Sequence, residues 1–248
     1  MFKNFLKGIV IGVANVLPGV SGGTLAVVLN IYDKLTEAVG NFLTASMEKK
    51  IEYAKFLSQI GLGAVIGIVA FAGVISKMYT LYPRGTTIVF LFLILPSIPV
   101  ILKGEKFFKR DNLFAFFAGV IFTGVFIYIT KLFAGEEVVR TTASIFTISY
   151  GIKLFFCGII AAGAMVIPGI SGSLLLMIMG EYYNILGYIK SFNILPLGFF
   201  AVGTGIGLIL VSKGINILLN KYRSYTLNFI VGIIIVSLVQ IVETLFIK

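Results

Sequence analysis

The chain has 248 residues, of which 58% are hydrophobic and only 12% charged, and its mean hydropathy is +1.06. Because soluble domains carry roughly a quarter charged residues, this composition excludes a soluble protein and indicates a polytopic membrane protein. The net charge of +10 suits anionic lipid and identifies no substrate by itself. With no histidine and a single cysteine, Cys157, the sequence excludes histidine-dependent metal or acid–base chemistry and an intrachain disulfide.

The first predicted element is a helical hairpin. Residues 3–17 form an apolar arm of about 22 Å, shorter than the roughly 30 Å of a bilayer core. Pro18 cannot continue the helical hydrogen bonds, the glycines after it permit a sharp turn, and residues 24–31 give a second short arm. We therefore expect a re-entrant hairpin whose tip lies near the middle of the membrane.

Five later runs are apolar and long enough to approach a full crossing. They are residues 56–76, 86–102, 113–130, 194–212 and 226–242. The prolines on either side of Ser97 predict a kink in the second of these runs, and a kink that serves packing alone is as good an explanation as a lining role for this serine.

The hairpin occurs twice in the sequence. ANVLPGVSGGTLAVVLNIY at residues 14–32 returns as AMVIPGISGSLLLMIMGEY at residues 164–182, a constant offset of 150 that also pairs Lys3 with Lys153. The spans that follow correspond at an offset of 140, which pairs Ser97 with Ser237 and aligns two GxxxG spacings that predict close helix packing, Gly63–Gly67 and Gly203–Gly207. We predict one all-α transmembrane domain over residues 1–248, with repeat one at 1–104, a linker span at 111–133 and repeat two at 150–248.

The number of crossings between the hairpins predicts their relative orientation. Two spans and the linker make three crossings, so the second hairpin starts from the opposite side and the repeats have inverted topology. Thirteen of the 20 basic residues fall on the side of the N-terminus. The positive-inside rule then predicts a cytoplasmic N-terminus and an outside C-terminus in the plasma membrane.

The repeated loops are candidates for binding an anion. A helix that begins just after a glycine loop presents unpaired N–H groups and a partial positive charge, and serine hydroxyls add donors. A static helix corner is the alternative, but duplication in inverted halves favours a transport site. The candidate phosphate-binding residues are Pro18, Gly19, Ser21, Gly22, Gly23, Thr24, Pro168, Gly169, Ser171, Gly172 and Ser173.

A second set of residues is assigned a lining or guiding role. For two of its members, Lys3 and Lys153, anchoring at the membrane interface is the favoured alternative. The sequence predicts no cofactor, no metal site and no nucleic-acid partner. The set is Asn15, Lys3, Lys153, Ser97 and Ser237.

The segments ANVLPGVSGGTLAVVLNIYDKL, LFLILPSIPVILK and VIPGISGSLLLMIMGEYYNIL resemble the signature segments of the bacterial undecaprenyl-phosphate translocase family. This resemblance covers nearly the whole chain. It implies that the partner is a polyprenyl-phosphate lipid, moved from the outer to the inner leaflet of the cytoplasmic membrane so that the carrier is recycled for peptidoglycan and other envelope polymers. A coupling ion, proton or sodium, is left open. Serine and leucine replace glycine and threonine at 173 and 174, so the two loops need not bind equally.

Two other functions fit parts of the pattern. Paired helix N-termini in inverted repeats would also serve a small-anion channel or exchanger. GVSG and GISG match the GxSG pattern of serine hydrolases, but that chemistry needs a general base, and the chain has no histidine and no lysine close in sequence to either serine. We therefore expect a transporter rather than an enzyme.

Overall fold

A computed structural model describes residues 2–15, 21–95, 97–102, 109–133 and 146–246, and within these ranges every regular element is a helix. The helices of the first half are α1 (Phe2–Asn15), α2 (Gly22–Val28), α3 (Tyr32–Gly40), α4 (Met47–Leu81), α5 (Pro83–Ile94) and α6 (Ser97–Ile101). The remaining helices are α7 (Arg110–Phe133), α8 (Ile148–Val166), α9 (Gly172–Ile178), α10 (Tyr182–Lys190), α11 (Ile194–Lys221) and α12 (Arg223–Phe246).

Five of the described helices are long and apolar enough to cross a membrane: α4, α7, α8, α11 and α12. Four of them contain predicted spans. The remaining predicted span, residues 86–102, is instead divided between α5 and α6, which are separated in sequence by Leu95 and Pro96. Proline lacks the N–H that an unbroken helix needs, which explains the division. The fifth candidate span is α8, the 19-residue first arm of the second hairpin, so re-entry of the hairpins stays a prediction.

The first helix of each hairpin packs along the first long helix of its own half, as the GxxxG spacings predict. A β-carbon on Gly63 would overlap the carbonyl oxygen of Phe5, and one on Gly67 would overlap that of Ile9. In the second half, Gly203 lies equally close to Phe155 and Gly207 to Ile159. In both pairs the contacting residue numbers rise together. Thus α1 runs parallel to α4, and α8 runs parallel to α11. The chain between the two helices of each pair therefore returns to the end of the molecule at which the first helix begins.

The short second arms, α2 and α9, have the same length and end in the same way. Each has seven residues and is followed by a residue with positive φ, Asn30 at 52° and its counterpart Gly180 at 74°. The next amide then bonds back into the helix, from Ile31 to the Ala26 carbonyl at 2.9 Å and from Glu181 to that of Leu176 at 2.9 Å. This left-handed cap is a common helix ending, and its recurrence shows that the duplication extends to backbone conformation.

The two halves contact each other through α3 and α11. Gly40 lies against the backbone of Lys213, the Asn41 amide donates to Asn216 Oδ1 at 3.1 Å, and Arg223 pairs with Asp33 at 2.6 Å. The contacts therefore place the start of α3 beside the end of α11. The linker α7 lies along α12, where Gly119 and Gly232 allow the two backbones to approach closely.

The larger apolar core surrounds α2. Leu25 and Ala26 are fully buried there, and they belong to the same cluster as Ile94 of α5 and Ile234 of α12. Helices from both halves therefore pack around α2.

Candidate functional site

The two repeated segments are residues 18–24, called loop one, and residues 168–174, called loop two. They lie far apart in sequence, but the described part of loop one, residues 21–24, meets loop two in the structure. The backbone N–H of Gly169 donates a hydrogen bond to the Thr24 hydroxyl at 2.9 Å. Gly23 faces the chain that leads into the second loop, because a β-carbon placed on it would lie 3.0 Å from the carbonyl oxygen of Val166 and 3.1 Å from that of Met165. The start of α2 thus packs directly against the end of α8 and against Gly169, and any side chain at position 23 would be crowded against these carbonyls.

A tyrosine strengthens this contact between the halves. Tyr32, at the start of α3, donates its phenolic O–H to the carbonyl oxygen of Val166 at 3.1 Å. Burial, with a smaller effect from Asp33, raises the pKa of this phenol above its ordinary value. The phenol therefore stays protonated and remains a donor. The bond occupies a carbonyl at the end of α8 that has no partner within its own helix.

Gly169 is constrained by both its conformation and its surroundings. Its φ is +80°, in the left-handed region that favours glycine, and a β-carbon would overlap the hydroxyl of Ser237. Ser237 donates to the Ile233 carbonyl of its own helix at 2.9 Å and lies 3.4 Å from the Gly169 carbonyl oxygen. The structure therefore brings the predicted residues Gly169, Thr24 and Ser237 together at one point.

The hydroxyls of the two loops have different environments. Ser21 is 8% exposed and caps α2 by accepting from the Gly23 N–H at 3.2 Å. In loop two, the Ser171 and Ser173 hydroxyls lie 2.9 Å apart, Ser173 is exposed, and Ser171 makes no capping bond to α9. Ser21 therefore uses its hydroxyl oxygen to cap α2, whereas the Ser171 and Ser173 hydroxyls bond each other and Ser173 is accessible to an external group.

Other predicted residues lie beside the loops or away from them. The Asn15 side chain lies next to Gly22, and Pro168 and Gly172 are buried in loop two. Lys3 is exposed, and Lys153 lies elsewhere, paired with a glutamate. Ser97 begins α6, but its side chain is outside what the structure describes, and Pro18 and Gly19 lie outside the described residues altogether.

That glutamate is not among the residues predicted from the sequence. Glu181 is 2% exposed and accepts from Lys153, Tyr150 and Asn184. A single acidic residue in the apolar segment LLLMIMGEYYNIL is the signal that could have identified it, since ionisable groups inside membrane proteins are commonly functional. Its partners could not have been identified in this way, because they depend on how α10 folds back on α8.

The chemistry available at the loops is that of hydroxyls and backbone N–H groups. The part of the chain that the structure describes holds no cluster of three or more histidine, cysteine or acidic residues suited to a metal. Since α2 and α9 have only seven residues each, individual donors matter more here than a long-helix dipole. Such neutral donors, converging between two loops, suit an anionic oxygen group.

The helical architecture and its five candidate spans define a multi-pass membrane protein. The model of the undecaprenyl phosphate translocase-like family matches residues 11–245, and the chain belongs to this family. It is 32% identical to a polyprenyl-phosphate transporter of Vibrio cholerae, over 96% of this chain and 77% of the relative. It is 29% identical to a Staphylococcus aureus protein of the same name, over 95% of this chain and 84% of the relative. No solved structure matches the chain.

Proposed function

We propose that the protein translocates polyprenyl phosphate, specifically undecaprenyl phosphate, across the bacterial cytoplasmic membrane. The cargo moves from the outer to the inner leaflet and is thereby recycled for the synthesis of cell-wall and envelope polymers. The observation that carries the proposal is the meeting of the two repeated loops, at Thr24 and Gly169, in a chain related over almost its whole length to proteins named polyprenyl-phosphate transporters.

The proposed phosphate site lies between the loops, where Ser171 and Ser173 would contact the phosphate. A phosphate is very costly in hydrocarbon, whereas the polyprenyl tail belongs there. The apolar outer surface of the spans supports this division, because large side chains such as Val69, Phe92 and Phe114 are 70% or more exposed and suit contact with lipid. The headgroup then travels along polar loops while the tail stays in the bilayer.

We propose that the halves are inverted repeats whose hairpins enter from opposite faces. The contacts of α3 support this arrangement. Lys34 of α3 pairs with Glu52 near the start of α4, while Asp33 pairs with Arg223, just after the end of α11. The start of α4 and the end of α11 therefore lie at one end of the molecule, and the two helices run in opposite senses. Together with the distribution of basic residues, this favours a cytoplasmic N-terminus.

Alternating access would proceed through separation of the two loops. In this structure the Gly169 N–H is bonded to Thr24, and the Gly23 N–H is bonded to Ser21. A phosphate oxygen can replace either hydroxyl as the acceptor, so binding and opening are linked without leaving a buried donor unpaired. Rocking of one half against the other then exposes the site to each leaflet in turn.

Translocation in liposomes tests this proposal. Purified protein is reconstituted, and the transfer of fluorescently labelled polyprenyl phosphate between leaflets is followed. We expect wild-type protein to accelerate transfer, and Ser171→Ala with Ser173→Ala to slow it about tenfold or more, through the loss of two hydrogen bonds to a charged group. Ser21→Leu with Ser171→Leu should abolish it, and unchanged rates in both double variants would contradict the site.

A matched control separates the site from general damage. Thr123→Val also removes a buried hydroxyl, but one that bonds only the Gly119 carbonyl of its own helix, far along the chain from either loop. This variant should translocate at the wild-type rate.

A parallel measurement of tracer chloride and phosphate flux tests the alternative function, a small-anion channel or exchanger. Anion flux without lipid movement would show a small-anion channel instead.

A further inference from the structure

Glu181 stands apart from the other acidic side chains that the structure describes, because it alone is buried. Its Oε1 accepts from the Lys153 ammonium at 2.5 Å, and its Oε2 accepts from the Tyr150 hydroxyl at 2.6 Å and the Asn184 amide at 2.9 Å. A second tyrosine, Tyr188, donates to Tyr150 at 3.3 Å. The carboxylate is thus held by a complete set of donors from α8 and α10.

Lys153, in contrast, is accessible from outside. Its side chain is 54% exposed, although it pairs with a carboxylate that is almost completely buried. An ammonium has three donor hydrogens, and Glu181 occupies only one direction around it. The pair therefore consists of an enclosed anion and a cation that an external headgroup can reach.

The first half shows that the hairpin does not need this carboxylate to fold. Lys3 takes the place of Lys153, and Ile31, buried at 6% exposure, takes the place of Glu181. An apolar side chain therefore completes the same turn in the other copy. A buried carboxylate at the membrane is costly and is typical of functional positions, so its presence in one half alone calls for a role specific to that half.

We propose that Lys153 and Glu181 form a proton-linked docking site for the phosphate headgroup. This inference rests on the proposed function. Lys153 holds a phosphate less tightly while the adjacent carboxylate is charged, because the two anions repel each other. When Glu181 takes up one proton from water, it becomes a neutral acid and Lys153 is freed to bind the phosphate. No covalent bond to the lipid forms or breaks.

The surroundings of Glu181 allow both protonation states. The neutral acid needs an acceptor for its O–H, and the Tyr150 oxygen and the Asn184 carbonyl oxygen can each serve. The titratable groups that face Glu181 are Tyr150, Lys153 and Cys157 of α8 and Tyr188 of α10. No residue of α9 titrates, and Lys213 and Lys221 of α11 lie about 20 Å or more along that helix from Phe199, which packs beside Gly151.

Thermodynamic linkage makes this proposal measurable. If phosphate binding favours protonation of Glu181, then protonation must favour phosphate binding by the same factor. Because α8 begins at the outer face in the proposed topology, the site would accept headgroups arriving in the outer leaflet. Lys3, whose half has Ile31 at the position equivalent to the glutamate, would show no such linkage.

The test is the affinity of full-length protein in nanodiscs for a labelled short-chain polyprenyl phosphate, measured at about pH 6, near the second ionisation of the ligand, and at about pH 8. Glu181→Gln mimics the protonated acid. In this variant the ratio of the affinities at the two pH values should be about tenfold smaller than in wild type. Lys153→Met should weaken binding at both pH values, while Lys3→Met leaves the pH dependence intact. Equal pH dependence in wild type and Glu181→Gln would overturn the proposal.

Two further arms complete the experiment. A prenyl sulfate, whose headgroup has a fixed charge, should cause uptake of about one proton per bound molecule by wild-type protein in weak buffer. No uptake overturns the proposal without reliance on any variant. Inorganic phosphate should compete with the lipid at this site; no competition at either pH would contradict a headgroup site. Failure of wild-type protein to translocate lipid would instead count against the proposed function.

Discussion

The two hairpins share a backbone plan but use their lysines differently. In the first, Lys7 of α1 donates to the Leu29 carbonyl just after α2, at 2.7 Å. In the second, Cys157 occupies the position of Lys7, and Lys153, about one turn earlier, pairs with the buried Glu181. The first arrangement only satisfies the end of a helix, whereas the second adds a buried charge that the fold does not require. Shared residues thus maintain the hairpin, and unshared residues give each half its own chemistry.

The largest expected effect tests the shared packing. Gly203→Ala places a methyl group against the Phe155 backbone, and Gly63→Ala does the same at Phe5. Each should destabilise the protein by about 2–3 kcal/mol, because two helix backbones must move apart. Thermal unfolding in detergent, followed by loss of monodisperse protein, measures this.

The chain provides a control two residues away in each half. Alanine at Gly61 or Gly205 meets nothing within 4 Å, so these variants should be neutral or stabilising by up to ~1 kcal/mol through better helix propensity. If all four variants behaved alike, close packing would not be the reason for the repeated glycines.

The next largest effect concerns the lysines. Lys153→Met leaves Glu181 buried without its cation and should cost about 2 kcal/mol, less than for a fully buried pair because the ammonium is half exposed. Lys7→Met removes only a bond to a carbonyl and should cost about 1 kcal/mol. Chemical denaturation of the two variants side by side measures this difference. A larger loss for Lys7→Met would contradict the distinction between the hairpins.

The smallest effect tests the equivalent caps after α2 and α9. Gly180→Ala should cost about 1 kcal/mol, because alanine disfavours the left-handed conformation at φ +74°. Gly180→Asn should cost less, since asparagine already occupies the equivalent position at Asn30. The same thermal assay applies, and equal costs for alanine and asparagine would show that backbone conformation does not select these residues.

Much of the frame was predictable because it depends on local chain chemistry. Hydropathy located α4, α7, α11 and α12, and the glycine spacings anticipated the close contacts of Gly63 and Gly203. The broken helix at Pro96 was anticipated only as a kink. Hydropathy averaged over the 86–102 run does not register the single missing N–H that divides it.

Candidate residues for the site could be chosen from the sequence, but their contacts could not be predicted. The repeated loops pointed to Gly169 and, in the first copy alone, to Thr24, and the structure places these two residues in direct contact. The bond from Tyr32 to Val166 joins residues 134 positions apart, and the burial of Glu181 results from α10 packing back on α8. Contacts of this kind depend on tertiary packing, which a single sequence does not reveal.

The central claim is that the two loops bind one phosphate together, and a double-mutant cycle on polyprenyl-phosphate affinity tests it most directly. Thr24→Val and Ser171→Ala are measured singly and combined, with Thr123→Val replacing Thr24→Val in a control cycle. A shared phosphate predicts a coupling energy of about 0.5 kcal/mol or more between the loops, and none in the control cycle. Strictly additive losses across the loops would contradict the claim, because they would mean that each loop acts alone.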